Sequence, residues 1–178
     1  MRVIAGEYKG RRLQTPPDDS VRPTTDKVKE ALFSILSDRI WNSKVLDLFA
    51  GTGSLGIEAL SRGASLCIFG DHSRDSLRFI RENLSHCRAQ QAAQVVAGDY
   101  RKILMNLDEQ FDIVLLDPPY GKGFLEPCFQ IIRQQKLLAD DGVIVAEHRR
   151  EELLPEEFSG FQKIKERKYG IIKLSIYS

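Results

Sequence analysis

The sequence predicts an α/β protein built on a Rossmann-like, doubly wound sheet of mostly parallel strands. Three observations carry that expectation. From Lys44 onward, short apolar runs alternate with helical segments, the pattern of βαβ units. A glycine turn, Gly51-Thr52-Gly53, joins the first of these runs to the first of these helices. The last two runs, residues 161–169 and 171–177, meet at Gly170 with no room for a helix between them. They should form a hairpin and add an antiparallel terminal strand.

Taken in order, residues 2–5 and 11–14 read as a short N-terminal β-hairpin, separated by Gly6 and Gly10. A loop over residues 15–20 follows. Thr24 or Thr25 can then cap a helix whose stripe is Val28, Ala31, Leu32, Ile35 and Leu36. Parallel strands are expected at residues 45–49, 66–69, 94–97, 113–116 and 143–146, and the terminal hairpin brings the sheet to seven strands. Helices are expected at residues 55–61, 74–87, 102–106 and 124–134. A chain of 178 residues fits one domain, 1–178, with residues 1–22 as an extension carrying the hairpin.

Composition narrows the function. Hydrophobic residues make up 42% and charged residues 29%, ordinary for a soluble globular protein. No apolar run approaches the ~18 residues of a membrane span, and the N-terminus lacks an apolar signal region, so a cytoplasmic protein is expected. Cys67, Cys87 and Cys128 are odd in number and lack the spacing of metal ligands, which points to free thiols and no metal site. Net charge is only +1, yet residues 1–17 set Arg2, Lys9, Arg11 and Arg12 against Glu7 alone. Such a cluster can pair with nucleic-acid phosphates, or it can simply protect a hairpin edge.

The segment from Val45 to Gly56 combines a strand, a glycine turn and a helix start, and Asp71 follows Gly51 by twenty residues. That spacing also suits a dinucleotide. Asp47 argues otherwise, because a carboxylate inside the strand can order the glycine loop and receive the ammonium of an amino-acid moiety. Asp71, closing the second strand, can accept ribose hydroxyls or cap the next helix, although Ser73 can fill the capping role. Asp99 can accept an adenine amino group or cap the helix beginning near Tyr100. Tyr100 can offer its backbone N–H to the ring or pack beside it. Acids at the ends of successive strands mark the edge where such sheets bind ligands.

Asp117-Pro118-Pro119-Tyr120 follows the apolar run ending at Leu116. The Asp117 carboxylate and the Pro118 carbonyl can accept the two N–H groups of a planar amine, and both proline rings stiffen the loop. Tyr120 offers a flat face on which a nucleobase can stack. The bland alternative is a proline-rich turn after a core strand. Hydride transfer has no use for this motif, whereas S-adenosylmethionine as cofactor suits both it and Asp47.

Together these residues resemble the class I S-adenosylmethionine-dependent methyltransferases. The stretch from Arg2 to Gly6 with Lys9-Gly10-Arg11, the stretch from Val21 to Phe33, and Tyr169-Gly170 narrow the likeness. They resemble the bacterial small-subunit ribosomal RNA guanine-N2 methyltransferase D family. The resemblance implies Asp47, Gly51 and Gly53 in the cofactor loop, Asp71 on the ribose and Asp99 near the adenine. It also implies Arg22 and Thr24 bordering the methionine end, and Asp117 through Tyr120 holding a guanine. Arg2, Lys9, Arg11 and Arg12 would grip small-subunit ribosomal RNA, in an assembled or assembling particle, with the protein a monomer. Gly70 departs from the family's branched apolar residue, so a looser adenosine pocket is expected. The usual threonine is also missing from Ile171-Ile172-Lys173.

None of the three histidines is needed. His72 can lie beside the ribose through Asp71, though a surface helix start is expected; His86 is expected near a helix end, and His148 in a solvated loop with Arg149 and Arg150, a basic group that could touch RNA; Trp41 is expected to pack. Two rival readings remain. A DNA adenine or cytosine amino-methyltransferase would use the same motif but usually carries an added recognition segment. A non-catalytic ribosome assembly factor would need neither the cofactor loop nor the complete motif.

Overall fold

The structure, a computed structural model, describes residues 1–17 and 25–178. Arg22 and Thr24 therefore lie outside the described residues. Among the described residues, eight strands form one sheet, in the order β3-β2-β1-β4-β5-β8-β7-β6. The parallel strands are β1 (Lys44–Leu48), β2 (Leu66–Asp71), β3 (Ala93–Ala97), β4 (Phe111–Leu116) and β5 (Leu138–Arg149). The terminal hairpin, β7 (Phe161–Tyr169) and β8 (Ile172–Tyr177), runs antiparallel, with β8 against β5. One strand was not expected: β6, Glu157–Phe158, which pairs with the outer edge of β7. Two residues are too short to show any hydrophobic period.

Helices cover both faces of the sheet. Val45, Phe69, Ile113, Leu115, Val143 and Val145 pack with α1 (Asp26–Ile35), α3 (Ser54–Ser61) and α4 (Arg74–Cys87). Leu46, Leu48, Ile68, Val114, Leu116 and Ile144 pack with α5 (Tyr100–Asn106) and α6 (Leu125–Gln134) on the other. A short α2 (Ser37–Ile40) follows α1. Strands buried on both faces read as continuous apolar runs, which explains why the sequence pattern located them. Thr25 caps α1 by accepting from the Val28 N–H, and Ser73 caps α4 by accepting from Ser76.

The N-terminal segment is a short hairpin: Arg2 bridges Arg12 antiparallel, and the Val3, Gly10 and Leu13 N–H groups donate to the Arg11, Val3 and Met1 carbonyls, each at 2.9 Å. What holds it is α3. The Ile4 and Ala5 N–H groups donate to the two Glu58 oxygens at 2.9 and 3.0 Å, and the Tyr8 N–H donates to Ser61 Oγ at 2.9 Å. Gly6 is required at this contact: with φ +85°, a Cβ there would lie 1.9 Å from the Ser61 carbonyl oxygen. Asn83 on α4 completes the docking, exchanging hydrogen bonds with the backbone of Gln14 and donating to the Thr52 carbonyl.

Three local expectations change. His148 is not in a loop but inside β5, fully buried, with Nε2 2.8 Å from Ser175 Oγ. Burial lowers its pKa. Trp41 is 82% exposed, although its ring lies over Gly63. The space a side chain at Gly70 would enter is already held by Leu48 and Ile103, whose methyl carbons come within 3.0 and 3.1 Å of a Cβ position. The glycine is compensated, and that side of the pocket is not loose.

Candidate active site

The carboxyl ends of β1, β2 and β4 converge on a cavity of about 480 Å³. Its lining includes Asp47, Gly51, Thr52, Asp71, Asp117, Pro118, Pro119 and Tyr120. Strand register explains the convergence. Asp47 lies level with Phe69 on β2 and Leu115 on β4, so Asp71 and Asp117 each follow two residues beyond that level.

The glycine turn is built by sharp backbone geometry. Phe49, Gly51 and Gly53 all have positive φ, at 63°, 59° and 81°. Phe49 is the informative one, because a bulky side chain in the left-handed region is disfavoured and needs surroundings that hold it there. Its ring stacks with Phe124 at 5.9 Å and lies 5.3 Å from Tyr100. Both ends of the turn are tied to acids. The Gly51 N–H donates to Asp71 Oδ2, and the Gly56 N–H donates to Asp47 Oδ2, each at 2.9 Å. Asp71 Oδ1 also accepts from the Ser73 N–H, so this one side chain links β2, the turn and α4.

Asp47 is 2% exposed, and burial pushes its pKa up to about 8, with the Gly56 hydrogen bond opposing and the nearby Asp71 adding. A buried carboxylate this poorly compensated favours a cationic ligand, which would restore its ionised form. A second cavity of about 160 Å³ lies against Gly70, Asp71, Gly98, Asp99, Tyr100, Phe124 and Pro119. The rings of Phe49, Tyr100 and Phe124 give this region an aromatic wall. Asp99 caps α5, accepting from the Arg101 N–H at 2.9 Å, and still borders the cavity. The Tyr100 hydroxyl is buried without a partner among the described residues. A buried acid that could receive an ammonium, an acid that could accept ribose hydroxyls and an aromatic slot suit the three parts of S-adenosylmethionine. The residues present fit that cofactor.

The Asp117–Tyr120 motif directly follows β4. Asp117 and Tyr120 are half-buried and Pro118 is buried. A third cavity of about 310 Å³ shares Pro118, Pro119 and Tyr120, and adds Glu147, Glu152, Leu154 and Phe158. Of the basic N-terminal residues, Arg2 pairs with Asp26 at 3.3 Å, and Arg11 donates to the His86 carbonyl at 3.3 Å. Lys9 and Arg12 are exposed. The four are not assembled into one pocket with the motif.

Sequence reasoning missed Met1 and Glu147, and it read Thr52 only as part of the glycine turn. Met1, Thr52 and His72, the last weighed from sequence as a neighbour of the ribose through Asp71, line the larger cavity. Met1 reaches it because the Thr52 hydroxyl donates to its Sδ at 3.6 Å. Glu147 carried a readable signal, an acid directly after the apolar run from Val143 to Ala146. No cluster of metal-ligating side chains occurs among the described residues. Among those residues, no helix is long and apolar enough to cross a membrane.

Comparison with known proteins agrees with this geometry. The family described as conserved hypothetical protein 95 matches residues 1–178. A Bacillus subtilis (strain 168) protein, YlbH, provisionally named an rRNA methyltransferase, is 40% identical over 99% of this chain and 98% of its own length. The ribosomal RNA small subunit methyltransferase D of Escherichia coli (strain K12) is 33% identical over 99% of this chain and 89% of its own. The solved structure of Escherichia coli yhhF, provisionally named a methyltransferase, superposes with a TM-score of 0.89 at 34% identity. It covers 99% of this chain and 96% of that one. The chain is a methyltransferase of Rossmann-like fold and belongs to the ribosomal RNA small subunit methyltransferase D family.

Proposed function

We propose that this chain transfers a methyl group from S-adenosylmethionine to the exocyclic N2 amine of one guanine in small-subunit ribosomal RNA. The observation that carries the reading is the shared cavity: Asp117, Pro118 and Tyr120 form one wall, and Asp47, Gly51 and Asp71 another. An amine held by the first wall faces a cofactor held by the second. The target class follows from the relatives, one of which is named a ribosomal RNA small subunit methyltransferase.

When bound, the cofactor supplies an electrophilic methyl carbon. The chain's task is to prepare the nitrogen. A guanine amine is a weak nucleophile because its lone pair is delocalised into the ring. Hydrogen bonds from its two N–H groups to the Asp117 carboxylate and the Pro118 carbonyl draw the nitrogen toward tetrahedral geometry and aim the lone pair at the methyl position. They also stabilise the positive charge that develops on nitrogen. Alignment of this kind can recover roughly 7–11 kcal/mol of barrier. Asp117 need not act as a strong base, since the methylated ammonium is acidic enough to lose its proton afterwards. A guanine in structured RNA must be turned out of its stack, and Tyr120 then receives the base face.

On this reading the docked N-terminal segment serves RNA contact through Lys9 and Arg12, with Arg2 and Arg11 nearby but already engaged. Arg22 and Thr24 border the methionine end. The protein works as a cytoplasmic monomer on an assembled or assembling particle. The test uses methyl-labelled S-adenosylmethionine and small subunits from cells lacking this protein. Label on a single guanine N2 is expected. Label on DNA or on another base instead would refute the assignment.

A further inference from the structure

Tyr120 is the one aromatic ring of the Asp117–Tyr120 motif, and two glycines follow it within three residues. Gly121 and Gly123 both have φ +69°, and no atom lies within 4 Å of a Cβ position at either. Contacts from the neighbouring strand β5 and the turn after it reach this loop. The Tyr120 hydroxyl donates to Glu147 Oε1 at 3.0 Å, the Arg149 guanidinium carbon lies 5.6 Å from the ring centroid, and the Gly121 N–H donates to Glu152 Oε1 at 3.1 Å. Glu147 and Arg149 are two apart on β5 and so share a face. The pairing of Leu116 with Ala146 sets Glu147 level with Asp117. Glu147 is 4% exposed, on a central strand, so its oxygen is a fixed reference for a ring on a glycine-flanked loop.

We propose that Glu147 is the positioning residue for Tyr120, fixing the plane on which the target base stacks; this rests on the methyl-transfer reading given above. A carboxylate suits the role because it only accepts, so the Tyr120 hydroxyl has one direction in which to donate, and a charge-assisted O–H···O⁻ bond is roughly twice as strong as a neutral one. Burying an acid is costly unless it is hydrogen-bonded, and the Tyr120 hydroxyl is one donor that serves Glu147.

Two readouts test this, one of them independent of turnover. With 13C-labelled tyrosine rings, the Tyr120 resonance is the one lost in Tyr120→Phe. It should shift and average in Glu147→Ala and stay near its place in Glu147→Gln; an unmoved resonance in Glu147→Ala overturns the proposal. On small subunits, Glu147→Ala should lower kcat/KM for RNA by about 10- to 100-fold, the scale of a misplaced reacting group. Glu147→Gln should lower it by only about threefold, keeping the acceptor without the charge. Cofactor affinity should be unchanged in both. In a Tyr120→Phe background either loss should shrink below about twofold, because the hydroxyl through which Glu147 acts is gone. An equal loss in both backgrounds means that Glu147 acts elsewhere. If Glu147→Ala does not fold, the Glu147→Gln cycle decides alone. Absence of methyl transfer by the unsubstituted protein would count against the functional reading, and the ring resonance would still decide the positioning role.

Discussion

Asp47 on β1, which accepts from the Gly56 N–H in the first turn of α3, and Glu58 on α3 itself are both buried carboxylates, 2% and 0% exposed, and they are treated in opposite ways. Glu58 is surrounded by donors: the Ile4 and Ala5 N–H groups, Arg62 Nε at 2.9 Å and Lys29 Nζ at 3.5 Å. Lys29, itself fully buried, also donates to the Arg2 carbonyl and to Ser54 Oγ. Asp47 has the Gly56 N–H and, among the described residues, no cation beside it. One acid fastens the N-terminal segment to the core. The other is left in a cavity with its charge undercompensated, which is what a site for a cationic ligand requires. Burial alone does not distinguish a structural acid from a functional one; the account of its partners does.

The largest effect should come from removing Glu58. Glu58→Ala strands the Lys29 ammonium in the interior and cuts four contacts at once, so unfolding free energy in denaturant should fall by about 3–5 kcal/mol. Below about pH 4, where Asp47 carries its proton both folded and unfolded, Asp47→Asn should change stability by less than about 1 kcal/mol, since the amide oxygen still accepts from Gly56 and no charge is stranded. Equal losses at the two positions would break the comparison.

Their pH behaviour sharpens it. The folded value of Asp47, about 8, lies above its ordinary 3.8, so the folded cofactor-free protein holds a proton that the unfolded chain has released. Its contribution is fully present below about pH 4 and is lost as pH rises through about 8. Denaturant midpoints across that window should slope downward, and Asp47→Asn should flatten the slope. Glu166 has the reverse sign. Burial would raise its pKa, but hydrogen bonds from Lys173, Lys163 and Ser175 outweigh that and hold it at about 2. Its contribution is present above pH ~4.5 and lost as pH falls through about 2.

Much of this was legible in the sequence, and what was not has a common cause. The strand ends at Asp71 and Asp99, the capping by Ser73 and the terminal hairpin at Gly170 are local patterns, visible within a few residues. The Glu58 network joins residues 53 and 54 apart in the chain, and no periodicity reports it. The same holds for Tyr120 with Glu147, 27 residues apart. His148 was misplaced because the fifth strand runs to Arg149, past the apolar run that signalled it. Sidedness was the hidden quantity: its burial depends on β8, which arrives from the far end of the chain.

Smaller effects probe the N-terminal segment. Gly6→Ala must move the segment off Ser61, and a loss of about 1–3 kcal/mol is expected, the scale of a strained backbone position. Neutralising Lys9 and Arg12 should leave stability within about 0.5 kcal/mol. If they contact RNA phosphates, each should lower the salt slope of RNA binding by ~1. Arg2→Ala and Arg11→Ala should weaken that slope less, since Asp26 and the His86 carbonyl already engage them.

The division of labour across the cavity is the central claim, and calorimetric titration of S-adenosylmethionine into the unsubstituted protein, Asp47→Asn and Asp117→Ala tests it most directly. Asp47→Asn should raise the cofactor Kd by about 10- to 100-fold, the cost of a lost charge-assisted contact. Asp117→Ala should bind the cofactor within about twofold of the unsubstituted protein, while its methyl transfer falls at least about a hundredfold. Unchanged affinity in Asp47→Asn, or lost affinity in Asp117→Ala, would contradict the assignment of the two walls.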